Sequence, residues 1–323
     1  WNYVDNMGQH AYAIVIHSHA LRNSRRTGHR SAEARALTYL GNALFWHGDY
    51  QEAYEHVNLA VTIACEIGDL PCEADALTAL GVFFRRQGYY RQAYEVFGKV
   101  LTIDDQIGRQ QSATTVLLNL GLIHEQQDHN YQESITYHRN ILALTRTTDS
   151  LTSQAQALNN LGFAYRRMGN YQRALRYHEY ALSIANNTSG RTTILNSLFG
   201  IGLVHQSRKD YHQAGQKFGE LLTLARKVGA RTTEPDALNC LGDVQLALEQ
   251  PNEARLNHLE ALQLATRLGD RHALGRAHYG LGNSYHAMGD LRQAREHWEA
   301  ALEIFRDIEV PEADEVQSRL REL

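Results

Sequence analysis

Apolar and small residues along this chain recur with a period near forty. A Leu-Gly pair, once Ile-Gly, stands at Leu40-Gly41, Leu80-Gly81, Leu120-Gly121, Leu161-Gly162, Ile201-Gly202, Leu241-Gly242 and Leu281-Gly282. Successive markers lie 40, 40, 41, 40, 40 and 40 residues apart. Apolar side chains fall three before, at and four after the marker, as in Leu77, Leu80 and Phe84, or Leu158, Leu161 and Tyr165. That i, i+3, i+7 spacing is one face of a helix. Thirteen residues past most markers comes an alanine: Ala53, Ala93, Ala174, Ala214, Ala254 and Ala294. The third copy has Ser134, one place late, and its extra residue falls in Gln127-Asp128-His129-Asn130-Tyr131.

Each copy therefore predicts two helices, called A and B below. Helix B runs through Ala53, Val57 and Ala60, or Ala174, His178 and Ala181, and stops near Gly28, Gly68, Gly108, Gly229 or Gly269. A glycine there can take the left-handed conformation that ends a helix. Pro71, Pro235 and Pro251 stand where a helix is about to begin, where the missing N–H is tolerated, and Pro311 opens the terminal segment. No strand alternation survives this register, so the chain is predicted to be all-α. Gly8 and Ala13 align with Gly48 and Ala53, so residues 1–30 read as an incomplete repeat. A neighbour beyond them is expected to cover apolar residues among Trp1, Tyr3, Tyr12, Ile14 and Ile16.

Composition narrows the function. The 323 residues carry 32 basic and 36 acidic side chains, a net charge of −4, with no basic tract. That argues against direct nucleic-acid contact and against an anionic membrane surface. No apolar run reaches the roughly 18–20 residues of a membrane span, and no signal peptide opens the chain, which predicts a cytoplasmic protein. With 4 prolines and 3 cysteines it is neither a disordered Pro-rich chain nor a disulfide scaffold.

Reactive chemistry is not predicted. His138, His178 and His258 hold equivalent positions in different repeats and read as fillers of an aromatic packing slot. His124-Glu125 with His129 misses the H-E-x-x-H zinc spacing by one residue, which turns the two rings to different sides of a helix. Cys65, Cys72 and Cys240 lack C-x-x-C spacing and read as buried free thiols. Gly200-Ile201-Gly202 and Gly280-Leu281-Gly282 lie inside helices and so fail as dinucleotide-binding turns. No catalytic residue, metal or cofactor is assigned.

The order of residues resembles the tetratricopeptide (TPR) repeat: Leu-Gly in helix A, a bulky residue three further on, then alanine, an aromatic and alanine in helix B. The aromatic slot is held by Val57, Phe97, His138, His178, Phe218, His258 and Trp298. The resemblance implies a right-handed α-solenoid of about seven TPR helix pairs as a single domain, 1–323. Its repeats are 31–70, 71–110, 111–150, 151–190, 191–230, 231–270 and 271–309, with a capping helix over 310–323. The forty-residue length is similar to TPR arrays of LGN-type scaffolds and of MalT-like and NB-ARC-type (STAND) bacterial regulators. Ala301-Leu302-Glu303-Ile304-Phe305 followed by Val310-Pro311-Glu312-Ala313-Asp314-Glu315-Val316 resembles the C-terminal end of SARP-type regulators.

In TPR proteins a helix-A stripe beside the packing stripe lines the concave groove. At offsets −2, +2 and +5 from the marker it includes Asn42 and Phe45, Val82 and Arg85, Leu118 and Leu122, Asn159, Phe163 and Arg166, and Phe199 and Leu203. Trp46, Arg86 and Arg167 adjoin it, with Trp46 expected to be an exposed anchor. An apolar patch rimmed by arginines predicts a protein segment or peptide as partner, its carboxylates held by arginine forks, and that partner can be another domain of the same regulator. The alternatives are a small-molecule effector sensor, a general scaffold, and a stripe that is simply core.

Overall fold

In a computed structural model, residues 7–127, 130–147, 150–188, 190–308 and 310–323 are described; they form helices joined by short turns, with no strand among them. The chain divides between Met168 and Gly169 into two compact units. That division falls in the A–B turn of the 151–190 repeat.

The first unit holds α1 (Met7–Thr27), α2 (Arg30–His47), α3 (Tyr50–Ile67), α4 (Leu70–Arg86), α5 (Tyr90–Gln106), α6 (Gln110–Gln127), α7 (Tyr131–Thr147) and α8 (Leu151–Arg167). The second holds α9 (Tyr171–Thr188), α10 (Arg191–Ser207), α11 (Tyr211–Val228), α12 (Thr233–Ala247), α13 (Pro251–Leu268), α14 (Arg271–Ala287), α15 (Leu291–Asp307) and α16 (Glu312–Glu322). Even numbers up to α14 are A helices and odd numbers are B helices. Within each unit a B helix packs between its own A helix and the next one, and successive A helices also touch, as α2 does α4 and α12 does α14. Inside each unit the A helices therefore line the tighter side of the stack.

The marker glycine explains the register. A Cβ built on Gly81 would lie 2.6 Å from Phe97 Cε1, and one on Gly282 would lie 2.3 Å from Trp298 Cδ1. Gly41, Gly81, Gly121, Gly202, Gly242 and Gly282 are thus seats for the slot residue of their own repeat's helix B. Phe97 and Phe218 are fully buried and Trp298 is 1% exposed. Burying an aliphatic or Phe-sized side chain contributes about 1.5–3 kcal/mol, so each filled slot adds substantially to the cohesion of its pair. Small residues do the rest: Ala53, Ala93, Ala174, Ala214, Ala254 and Ala294 are all fully buried. The turns follow the glycines, as where Gly48 at φ 106° donates its N–H to Leu44 O.

Three expectations need correction. Cys65 is exposed, not buried, because it falls on the outer side of α3; only Cys72 and Cys240 are buried. Trp46 is half-buried rather than open, because the Arg86 guanidinium lies 4.8 Å over its ring. At offset −2 the polar residues Thr38, Asn159 and Asn239 are not groove-facing but 5%, 2% and 0% exposed. Leu118 and Phe199, at the same offset, are half-buried. Trp1, Tyr3 and His129 fall outside the described residues. On α1, Tyr12 and Ile16 are 70% and 49% exposed, while Ile14 packs against the first core.

Candidate functional site

The apolar members of the stripe beside the packing row are half-buried. In the first unit Phe45, Val82, Leu118, Leu122 and Phe163 all keep part of their surface in solvent. One step round each helix, the packing residues Leu40, Leu80, Leu120 and Leu161 are 0–6% exposed. These apolar residues thus stand at the lip of the core, on the A-helix side of the unit. Val82 rests on the core beneath it.

The α2–α4 end carries an aromatic floor. Phe45 meets Trp46 edge-on at 5.1 Å, Tyr50 at 5.3 Å and Phe83 at 5.6 Å between ring centroids. Arg86 stacks on Trp46, an arrangement worth about 0.5–1 kcal/mol where exposed. Such stacking fixes the guanidinium plane and leaves its edge available to a carboxylate. The two arginine pairs are not equivalent solvent-facing forks. Arg86 and Arg167 are exposed, Arg166 is half-buried, and Arg85 is 7% exposed with Nε donating to Asn119 Oδ1 at 2.9 Å. Burial, reinforced by the charge of Arg86, pulls the Arg85 guanidinium down to about 10. Arg85 therefore ties α4 to α6. Asn42 is half-buried on α2, and Asn159 is buried on α8.

In the second unit Phe199 and Leu203 also lie half-buried against a core, with Phe199 6.1 Å from Phe218. Farther along, the same face becomes polar. Arg276 of α14 donates from Nη2 to Asp243 Oδ2 at 3.0 Å, and its Nη1 lies 3.5 Å from Asp236 Oδ1. His258 of α13 is fully buried, with Nδ1 3.1 Å from Asn239 Oδ1 and Nε2 3.7 Å from Asp243 Oδ1. Tyr279 donates to Glu315 Oε1 at 2.6 Å, and Trp298 Nε1 donates to Asn283 Oδ1 at 3.0 Å. The sequence reading missed Asp236 and Arg276. Both stand five residues before their markers, one turn beyond offset −2, and continuing the helical stripe by that turn would have found them.

A pair of imidazoles lies nearby in sequence. His278 Nδ1 and His297 Nδ1 are 3.0 Å apart, and Tyr285 stacks flat on His297 at 5.5 Å. Burial and the neighbouring ring push His278 down to about 4, and burial lowers His297. Among the described residues no group of three or more His, Cys, Asp or Glu could hold a metal ion, and no helix is long and apolar enough to cross a membrane.

Comparison with known proteins agrees with the fold. The family profile described as tetratricopeptide repeat matches residues 32–106, 111–187, 153–227 and 233–307. No curated protein sequence matches the chain. Among solved structures, apo RapI is 14% identical with a TM-score of 0.67, covering 86% of this chain and 99% of its own. A Rap protein complexed with competence and sporulation factor is 13% identical with a TM-score of 0.61, and each chain is 98% covered. A STAND protein with a tetratricopeptide repeat sensor from Pyrococcus horikoshii is 15% identical with a TM-score of 0.66, covering 89% of this chain and 44% of that one. At these identities the likeness is one of fold.

Proposed function

Starting from a chain that belongs to the tetratricopeptide repeat family, we propose that it is a protein- or peptide-binding regulatory module whose ligand lies on the A-helix face. The observation that carries this reading is the half-buried apolar row Val82, Leu118, Leu122 and Phe163, rimmed by Arg86 and Arg167. A lip of apolar residues beside solvated guanidinium groups suits a segment that presents apolar anchors with flanking carboxylates. The Rap protein seen with its competence and sporulation factor supports a peptide as the ligand class.

We further propose that this module is the sensor or autoregulatory arm of a multidomain bacterial transcriptional regulator. The STAND neighbour with its TPR sensor supports that context, as does the resemblance of residues 301–316 to the end of SARP-type regulators. Occupancy of the face would act by shifting the population between two arrangements of the attached domains.

The test is selection of twelve-residue peptides from a random displayed library on the wild-type chain. Selected peptides should carry acidic residues beside apolar anchors. Their binding should fall at least tenfold on Leu122→Asp and on Arg86→Glu. Unchanged binding to both variants would remove this face as the ligand site.

A further inference from the structure

Three of the seven aromatic slots hold histidine, and the slot in α13 is built differently from its apolar equivalents. In the preceding pair Phe218 occupies the same position under Gly202, with no polar demand on its neighbours. His258 sits between two glycines instead. A Cβ on Gly242 of its own helix A would lie 2.3 Å from Nε2, and one on Gly280 of the next helix A would lie 2.2 Å from Cε1. Gly280 stands one place before its marker, where the copy after Phe218 has Cys240. The Gly-Leu-Gly sequence thus seats two rings, His258 and Trp298.

Hydrogen bonding fixes the tautomer. Asn239 donates from Nδ2 to Ala273 O at 3.1 Å, so its Oδ1 is the atom presented to His258 Nδ1, and Nδ1 carries the ring proton. His258 Nε2 is then a bare lone pair. It is buried, makes no hydrogen bond, and faces Asp243 Oδ1 at 3.7 Å. Two acceptors confront each other there with no proton between them.

We propose that His258 and Asp243 form a proton-operated latch on the A-helix face of α12 and α14. A proton from solvent enters the Nε2 lone pair. The ring becomes an imidazolium that keeps Nδ1–H on Asn239 and donates Nε2–H to Asp243 Oδ1. The charged groups acting on the ring are Asp243 from α12 and Arg276 from α14. Arg276 in turn meets Asp236 and the neutral thiol of Cys240 from α12, which burial pushes up to about 11. Asp270 and His272 act on Asp236 behind them. With both carboxylates ionised and Arg276 charged, the cluster carries one net negative charge, and the latch cancels it. The face of the second unit then changes from one that favours a cationic group to one that does not. Burial lowers His258 below the usual imidazole value, against Asp243 and with Arg276, so the latch closes only on acidification.

The test reads the ring itself and does not depend on the peptide reading. In the full chain, nitrogen-15 chemical shifts of the His258 ring at pH 7.5 should report Nδ1–H with an unprotonated Nε2, and should titrate below free imidazole. Asp243→Asn should move that midpoint down further, and Arg276→Gln should move it up. His258→Phe, which copies the neighbouring slot, should fold and abolish the pH-dependent shift of the Asn239 side-chain amide. An Nε2–H tautomer at neutral pH overturns the proposal, as does a midpoint indifferent to both Asp243→Asn and Arg276→Gln.

Discussion

The unit that ends at Met168 and the unit that begins at Gly169 share one register but carry opposite chemistry on their A-helix faces. In the first, Phe45, Val82, Leu118, Leu122 and Phe163 alternate with Arg86, Arg166 and Arg167. In the second, after Phe199 and Leu203, the same offsets bring Asp243, Tyr279 and Asn283, with Asp236 and Arg276 one turn away. The slots do not follow this division: Val57, Phe97 and His138 fill them in the first unit, and His178, Phe218, His258 and Trp298 in the second. The Leu-Gly register determines where a side chain stands. It leaves the chemistry of the face free to vary, and so the face is where specificity can reside.

The largest effects should come from the slots. Trp298→Ala removes a ring seated against Gly282 and should cost about 3–5 kcal/mol, measured by urea unfolding. Val57→Ala, in a slot with a smaller occupant, should cost less. Equal losses would mean that the slots do not scale with what fills them. Next, Gly81→Ala pushes a methyl into Phe97, fully buried in its slot, and should cost about 1–3 kcal/mol. Gly98→Ala, a helix glycine with nothing within 4 Å, should stabilise by about 0.5–1 kcal/mol. The opposite signs of the two glycine changes distinguish a packing seat from a tolerated gap.

The units should also differ in their response to acid. His258, His278 and His297 all have native values below the usual imidazole range, His278 at about 4. Unfolding exposes them and lets them bind protons more readily, so stability should fall as pH drops from 6.5 toward 4. Hydrogen exchange followed by mass spectrometry should show α12–α15 losing protection before α2–α5. Simultaneous loss in both regions would contradict this assignment. The smallest effect is expected at the aromatic floor. Arg86→Gln should cost about 0.5–1 kcal/mol through the lost stacking on Trp46, checked by thermal unfolding.

The helices and their seams were legible in the sequence because the period is long and the marker glycines have a steric reason to recur. The face was legible only in part. Spacing places Leu118 and Leu122 beside the packing row, since a neighbouring row follows from helical geometry alone. Spacing does not reveal that Arg85 turns inward to Asn119, because that depends on the residue found on the next repeat. Nor does it show that Asn239 spends its amide on Ala273 and His258, a three-helix arrangement that no single repeat encodes. Cys65 was misread for a similar reason: a thiol is apolar enough to expect burial, while its place on α3 faces outward.

The central claim is that ligands meet the A-helix side. Hydrogen exchange of the chain with and without a library-selected peptide tests it most directly. The account predicts added protection in α4, α6 and α8, strongest around Leu122 and Phe163. Protection confined to the B helices α5 and α7 would contradict it.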